Sequence, residues 1–314
     1  MATRASGFGH IGTGSRVNDM MDDQDFLAER FEANRAHLRG VAFRMLGSLA
    51  EADDAVQEAW IRLSRTDTSE VDNLRAWLTT VVGRVCLNML RSRKTRREAS
   101  LETHLPDPIL SPEEGTDPEQ EVLLGDSVGL ALLVVLDSLT PAERVAFVLH
   151  DVFAVPFDQI APIVGRTPTA ARQLASRARR RVQGAPVPDV GLDGQWAVVD
   201  AFLAAARAGD FERLLAVLDP EVVLRSDGGA ASPRLTTLVR GAGTVATQAM
   251  AFRQFTESAT RVLVNGVPGG VAWAPDGTPF SVVAMTVKGG RIVAIDILAD
   301  PDRLGELDLT VVSG

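Results

Sequence analysis

Tyrosine is absent from this chain of 314 residues, cysteine occurs once (Cys86), and lysine only twice, at Lys94 and Lys288. The four histidines, His10, His37, His104 and His150, all lie in the first half. Each shortage excludes something. A single cysteine cannot close an internal disulfide, which suits a reducing, cytoplasmic setting. The longest apolar run, around ALLVVL (131–136), is far too short to span a bilayer, so no membrane partner is expected. The N-terminal stretch is rich in Gly and Ser and lacks the apolar segment of a secretory signal. It reads as a disordered tail over 1–22. No metal site and no cofactor is implied.

What is present is arginine, unevenly placed. The chain holds 32 basic and 41 acidic residues, a formal net charge of −9. Residues 1–100 hold 15 basic and 14 acidic, residues 127–185 hold 7 and 4, and residues 186–314 hold 10 and 15. Residues 101–126 hold eight acids and no base. The negative charge is confined to one intervening segment and to the C-terminal part, and that segregation says more than the sum.

Along the chain, residues 24–47 read as helix, with Phe26, Phe31, Leu38, Val41, Met45 and Leu46 at helical spacing. In LAEADDAVQEAWIRL (49–63), Ala52, Val56, Ala59, Trp60 and Leu63 form one apolar face. Asp53, Asp54, Gln57, Glu58 and Arg62 form the other, which by itself suits a solvated surface. A third helix over 73–98 has Trp77, Val81, Val85 and Met89 as its buried stripe. Its outer positions and end carry Arg84, Asn88, Arg91, Arg93, Lys94, Arg96 and Arg97. LPDPILSPEEGTDPEQE follows, acidic, proline-rich and without period, as an extended linker over 101–126.

Helices resume near 122. Thr140, Pro141 and Glu143 form a capping-box start. PFDQIAPIVG is a short helix ended by Gly165, and Thr167 caps another with Pro168 at its first position. Helix, glycine turn and helix with a basic outer face make a helix-turn-helix over 127–184. The second helix lies in TPTAARQLASRARRRVQ (167–183), which holds five arginines and no acid. Its buried positions are Ala170, Leu174, Ala178 and Val182. Thr167, Thr169, Arg172, Gln173, Ser176 and Arg177 suit base edges, while Arg179, Arg180 and Arg181 suit phosphates. Favourable interaction with the helix macrodipole would need only one or two of these arginines.

APVPDVGLDG forms a second linker (185–194). Two helices and six short strand-like runs follow, separated by turn signals such as Asp276-Gly277 and Gly289-Gly290. They indicate a separate α+β domain over 195–314.

At this point the chain resembles the extracytoplasmic-function (ECF) sigma factors. DDAVQEAWIRL is similar to the family's segment that grips core RNA polymerase, within region 2 (23–100). WLTTVVGRVCLNMLRSRKTRRE is similar to the −10 reader, and LTPAERVAFVLHDVFAVPFDQIAPIVGRTPTAARQLASRARRRV to the −35 reader, region 4. The resemblance implies core polymerase and promoter DNA as partners, with the polar face of 53–62 as a polymerase contact. The family commonly has an acid where Asn88 stands. The acidic linker would then thread toward the RNA path.

Residues 195–314 resemble the SnoaL-like domain, a cone-shaped α+β fold of the nuclear transport factor 2-like superfamily. The matching words include VNGVPGG and the run ending Asp227-Gly228-Gly229. Sigma factors with this tail form a group in which it is thought to tune activity. Their linker motif resembles HLPDP (104–108) here. The resemblance implies docking on the linker or sigma domains, with Asp227, Gly228, Gly229, Asn265, Gly266, Pro268 and Gly269 as regulatory residues. The expected fold is thus multidomain: two all-α sigma domains and a C-terminal α+β domain. A small-molecule ligand and catalysis are alternatives for the tail. Without histidine or tyrosine there, catalysis would rest on Asp227 or Asp296, with Arg225 or Trp273 nearby, so no enzyme is expected. A stand-alone helix-turn-helix regulator with a sensing tail is the rival reading.

Overall fold

The structure is a computed structural model, and it describes residues 14–66, 71, 73–96, 104–112, 130–183, 188–189, 191–253 and 259–312; at 14–25, 94–96 and 130–131 it describes the backbone alone. Helices α1 (Gly14–Leu46), α2 (Leu49–Leu63) and α3 (Leu74–Arg96) form the first bundle. Helix α1 starts ten residues before the expected 24, within what reads as a tail, because residues 15–39 contain neither Gly nor Pro to stop its propagation. Phe31, Leu38, Val41, Met45 and Leu46 are buried as expected, but Phe26 is 60% exposed. Ser48 caps α2, its side chain accepting from Glu51 N.

The second helical unit comprises α4 (Leu130–Asp137), α5 (Pro141–Phe147), a π-helical turn (Val148–Val152), α6 (Phe157–Val164) and α7 (Pro168–Val182). The capping box of Thr140 and Glu143 is formed. Gly165 ends α6 in the left-handed conformation (φ 66°), which glycine adopts without a Cβ clash. Thr167 caps α7, accepting from Ala170 N. The buried residues of α7 are Ala171, Leu174, Ala175 and Ala178. Ala170 and Val182 are only half-buried, since the stripe facing α5 is centred one position further along.

The C-terminal unit has α8 (Leu192–Ala208), α9 (Phe211–Val217), α10 (Ala242–Ala251), α11 (Pro301–Gly305) and a mixed sheet. Its strands are β1 (Leu110–Ser111), β2 (Leu218–Asp227), β3 (Thr237–Arg240), β4 (Thr260–Val264), β5 (Val267–Trp273), β6 (Pro279–Lys288) and β7 (Arg291–Leu298). Their spatial order is β1-β4-β5-β6-β7-β2-β3. Strands β4 to β7 form the expected meander, and β2 joins β7 in parallel. This is the multidomain fold expected, with three features that sequence patterning does not announce: α10, α11 and strand β1, which belongs to the interdomain linker.

Because side chains alternate across a strand, the sheet has two apolar faces. One packs under α8, α9 and α10 through Val222, Leu224, Met285 and Ile295. The other, with Val262, Val264, Val282, Ala284 and Leu298, belongs to one continuous core with α1–α7 and linker residues Ile109 and Leu110. The three expected domains therefore share a core. Within it α3 touches both helical units. Gly83 faces the side chains of Leu149 and Ile163, where an added Cβ would lie 3.2 and 3.5 Å from them. That double packing explains why α3 buries Leu74, Leu78, Val82, Cys86, Leu87 and Leu90 as well as Val81 and Val85, a far wider surface than the expected stripe. Trp77 and Met89 are only half-buried.

Candidate nucleic-acid interface and linker clamp

On α2, Asp54 and Gln57 are exposed and have no side-chain partner among the described residues. Asp53 is held by Arg39 (2.7 Å), and Glu58 pairs with Arg62 one turn on (2.8 Å). On α3, Arg84, Asn88 and Arg91 are exposed. Arg93 is turned inward: it ion-pairs with Glu51 at the start of α2 and donates to Leu46 O (2.8 Å). The side chains of Lys94 and Arg96, and all of Arg97, lie outside the described residues.

On α7, Thr167, Thr169, Arg172, Gln173, Ser176, Arg177, Arg179 and Arg180 are all exposed. Three arginines of this helix also brace it. Arg177 and Arg181 grip the two oxygens of Glu143, each at 3.0 Å, and Arg179 pairs with Asp151. Burial alone would raise the Glu143 carboxyl, but hydrogen bonds from Thr140 and the nearby Arg181 and Arg177 hold it below its ordinary value. Arg172 stacks over Phe157 at 5.3 Å. Arg180, Gln173 and Thr169 have no partner among the described residues.

Two arginines are buried where the helical units meet. Arg144, fully enclosed, pairs with Asp137 and donates to Arg44 O (3.4 Å). Arg44 lies over the Phe153 ring, and burial brings its pKa down to about 10. His37 stands edge-on to Phe153 at 5.3 Å. Burial, then the charges of Arg75 and Arg44, depress its pKa to about 4. It is therefore neutral near pH 7.

The linker departs most from expectation. Instead of an extended tether, Leu105, Pro106 and residues 108–111 are buried, because the C-terminal domain supplies partners for their backbone. Asp227 Oδ2 accepts from Leu105 N (3.0 Å), while Oδ1 accepts from Gly229 N (3.1 Å), so one carboxylate shapes its own turn and holds the linker. His104 Nδ1 lies 3.2 Å from the same Oδ2. Arg303 donates to Asp227 Oδ2 (2.9 Å), to Leu105 O (2.7 Å) and to Asp107 Oδ1 (2.6 Å). Burial opposes ionisation of Asp227, but the hydrogen bonds from His104 and Leu105 N, and the charges of His104 and Arg303, hold its pKa down to about 2. Farther along, Asn265 N donates to Ile109 O (2.8 Å), and Asn265 Oδ1 accepts from Ile109 N (3.0 Å). Asn265 (φ 50°) and Gly266 (φ 78°) are the left-handed pair of the β4–β5 hairpin. Leu110 and Ser111 then extend the sheet along β4.

The other face of this linker meets the first bundle. Asp107 N donates to Gly47 O (2.7 Å), and Asp107 Oδ2 accepts from Leu49 N (3.0 Å). A cleft of about 500 Å³ lies where the three parts meet, lined among others by Leu90, His104, Leu139, Arg144 and Arg225. The residues 113–126 that complete the acidic linker lie outside the described residues. The second linker is also held rather than free: Asp189 accepts from Gly289 N (2.9 Å) and Gly290 N (3.0 Å).

The remaining residues expected to be regulatory serve close backbone approach. A Cβ on Gly228 would strike Ser232 O, one on Gly229 (φ 61°) the Asp300 carboxylate, and one on Gly269 the carbonyl of Val283. Pro268 stands opposite Leu263 in the β4–β5 ladder. Asp296 is fully buried and paired with Arg225 (2.9 Å); burial raises its pKa, and Arg225 opposes that rise. Trp273 hydrogen-bonds Thr260 (2.9 Å). Arg303, the hub of the clamp, is not singled out by the sequence. A lone arginine in ADPDRLG shows no period, and its linker partners lie nearly 200 residues away.

A helix-turn-helix and a second arginine-bearing helical unit are joined by an acidic linker. The model for "Sigma-70 region 2" matches residues 30–96, and that for "Sigma-70, region 4" matches residues 129–182. The chain belongs to the ECF RNA polymerase sigma factors. It is 39% identical over 294 residues to SigJ of Mycobacterium tuberculosis, covering 87% of this chain and 91% of that one. To the probable ECF sigma factor SigI of the same species it is 37% identical, covering 91% and 98%. The crystal structure of M. tuberculosis SigJ aligns with a TM-score of 0.75 at 36% identity, over 90% of this chain and 100% of that chain. Sigma factors are initiation factors and not a class of enzymes. Among the described residues, no helix is long and apolar enough to cross a membrane.

Proposed function

We propose that this sigma factor rests in a closed state held by its own C-terminal domain, and that opening it exposes the promoter-reading surfaces. The observation that carries this reading is the linker segment 104–111. It is bonded to the sheet through Asp227, Asn265 and Arg303, and to the first bundle through Asp107. With the linker so held, α3 packs directly against α6 and the π turn at Gly83. Two promoter elements more than a helical turn apart, about 34 Å, require those units to separate.

In the open state Asp54 and Gln57, together with Asp53, Glu58 and Arg62, meet core polymerase. Arg84, Asn88 and Arg91 face the −10 element, with Lys94, Arg96 and Arg97 beyond them. Arg93 braces region 2 from within. Thr169, Arg172, Gln173 and Ser176 read the −35 element, with Thr167 as the cap that orients the helix. Arg177, Arg179 and Arg180 neutralise phosphates, which sets affinity and its salt dependence. The acidic domain and linker weaken binding to DNA by the free chain. The protein acts in the cytoplasm, where its partners are core polymerase, promoter DNA and its own docked domain.

The test is transcription in vitro with purified core polymerase, comparing the full chain with Arg303→Ala and Gly83→Leu. Initiation at a defined promoter that rises in both variants supports the closed-state reading. Equal output from all three overturns it, and tight binding of promoter duplex by the free full chain at physiological salt overturns it as well.

A further inference from the structure

The C-terminal domain contains a cavity of about 670 Å³ that neither the linker nor the sigma helices enter. It lies between α8, α10 and the sheet face opposite the linker clamp. Its volume falls in the range of about 300–1,000 Å³ of small-molecule sites. Phe202, Leu203, Phe280, Met285, Ile295 and Ile297 give it an apolar wall. Two polar groups are set into that wall. Ser226 and Ser281 are only 7% and 5% exposed, line the cavity, and have no side-chain hydrogen-bond partner among the described residues. A hydroxyl that makes no bond within the protein can both donate and accept, so both are placed to bind something that enters. The cavity's charged lining is Arg207, Arg234, Arg261 and Asp200. Asp200 is neutralised by Arg261 (3.3 Å). Arg234, exposed on the turn before β3, has no ion-pair partner among the described residues.

We propose that this cavity binds an amphipathic monoanion, with its apolar body against Phe202, Met285 and Ile297. Its polar substituents meet Ser226 and Ser281, and its acid group lies at Arg234. The carboxylates once considered for catalysis do not line it. Asp227 and Asp296 alternate along β2 and β7 with the cavity residues Ser226, Ile295 and Ile297, and so face the clamp. Neither of these two carboxylates is therefore poised on the ligand. The same alternation makes β2 and β7 a shared wall, with ligand on one face and linker on the other. Any effect of the ligand on opening rests on the closed-state reading, whereas binding itself does not.

The test uses the full chain and 1-anilinonaphthalene-8-sulfonate as probe, with dodecanoate as competitor and the neutral N-phenyl-1-naphthylamine as control. The expected result is saturable binding of one probe per chain, displaced by dodecanoate. Arg234→Ala should weaken the sulfonate about tenfold and leave the neutral probe unchanged. Ser281→Phe, which fills the cavity, should abolish both. No saturable binding by the wild-type chain overturns the proposal. So does an Arg234→Ala variant that binds both probes as the wild type does, which keeps the test decisive even if Ser281→Phe fails to fold. A wild-type result with binding but no change in transcription on adding dodecanoate would retain the site and remove only its link to opening.

Discussion

Helices α3 and α7 both bear arginines in a net acidic chain, yet the two place them differently. Helix α7 packs by one face, through Ala171, Leu174, Ala175 and Ala178, and leaves its opposite face to solvent. Its arginines divide between braces (Arg177, Arg179 and Arg181) and unpartnered outward groups such as Arg180. Helix α3 packs on two sides, against its own bundle and against α6. Its exposed polar strip, Arg84, Asn88 and Arg91, is narrow, and Arg93 is turned inward. On both helices part of the arginine cluster is therefore architecture. Where a helix has two partners, the polar strip left exposed is the narrower one.

The comparison can be broken most forcefully at the clamp that holds the linker. Arg303→Ala leaves Asp107 (19% exposed) and Asp227 (7% exposed) without their shared cation. Such a loss costs about 3 kcal/mol, and hydrogen-exchange protection of the Leu105 and Ile109 amides should fall on the order of a hundredfold. Unchanged protection would mean that the linker is held by its apolar burial alone. Next, Gly83→Leu inserts a side chain against Leu149 and Ile163. Overpacking there costs about 1–3 kcal/mol, and fluorophores on α2 and α7 should move apart without loss of α2 helicity. A constant separation would mean that the two units can repack around the wedge.

A smaller effect sharpens the division within α7. Arg180→Ala should change stability by less than about 0.5 kcal/mol and lower the salt slope of promoter binding by about one. Arg179→Ala should in addition loosen the helix from Asp151, seen as a lower melting temperature. If the two variants melt alike, the brace is not one. The smallest effect belongs to His37, which is part-exposed and screened by solvent. Its folded pKa of about 4 lies below the ordinary value of 6.5. The unfolded chain therefore binds the proton first, and stability is complete above pH 6.5 and declines as pH falls toward 4. His37→Gln should flatten that decline in a pH series of melting temperatures. Asp227 adds nothing in that window, since its lowered pKa matters only below its ordinary 3.8.

Much of this architecture was legible because local rules sufficed. Thr140 with Glu143, Gly165 and Thr167 mark helix ends by capping chemistry that acts within four residues, and each is formed. Asp276-Gly277 and Gly289-Gly290 mark hairpins for the same reason. What escaped is long-range. The segment HLPDPILS has the composition of a tether, and only the partners offered by Asp227, Asn265 and Arg303 make it part of a core. Helix α10, rich in Ala, Gly and Thr, carries too weak an apolar stripe to stand out. The words around Asp227 and Asn265 point to regulation through resemblance, while their contacts with the linker depend on residues more than 100 positions away.

Asp107 has one further implication. The first turn of any helix has amide groups without intrahelical acceptors, and α2 satisfies its Leu49 amide with a carboxylate that is also gripped by Arg303. The helix that would meet polymerase thus borrows its end cap from the segment the tail holds. Leu49 N and Arg303 use different oxygens of Asp107 and so hold it together, and such linkage is reciprocal. By whatever factor the tail's grip on Asp107 favours the capped start of α2, that capped start favours the tail's grip by the same factor.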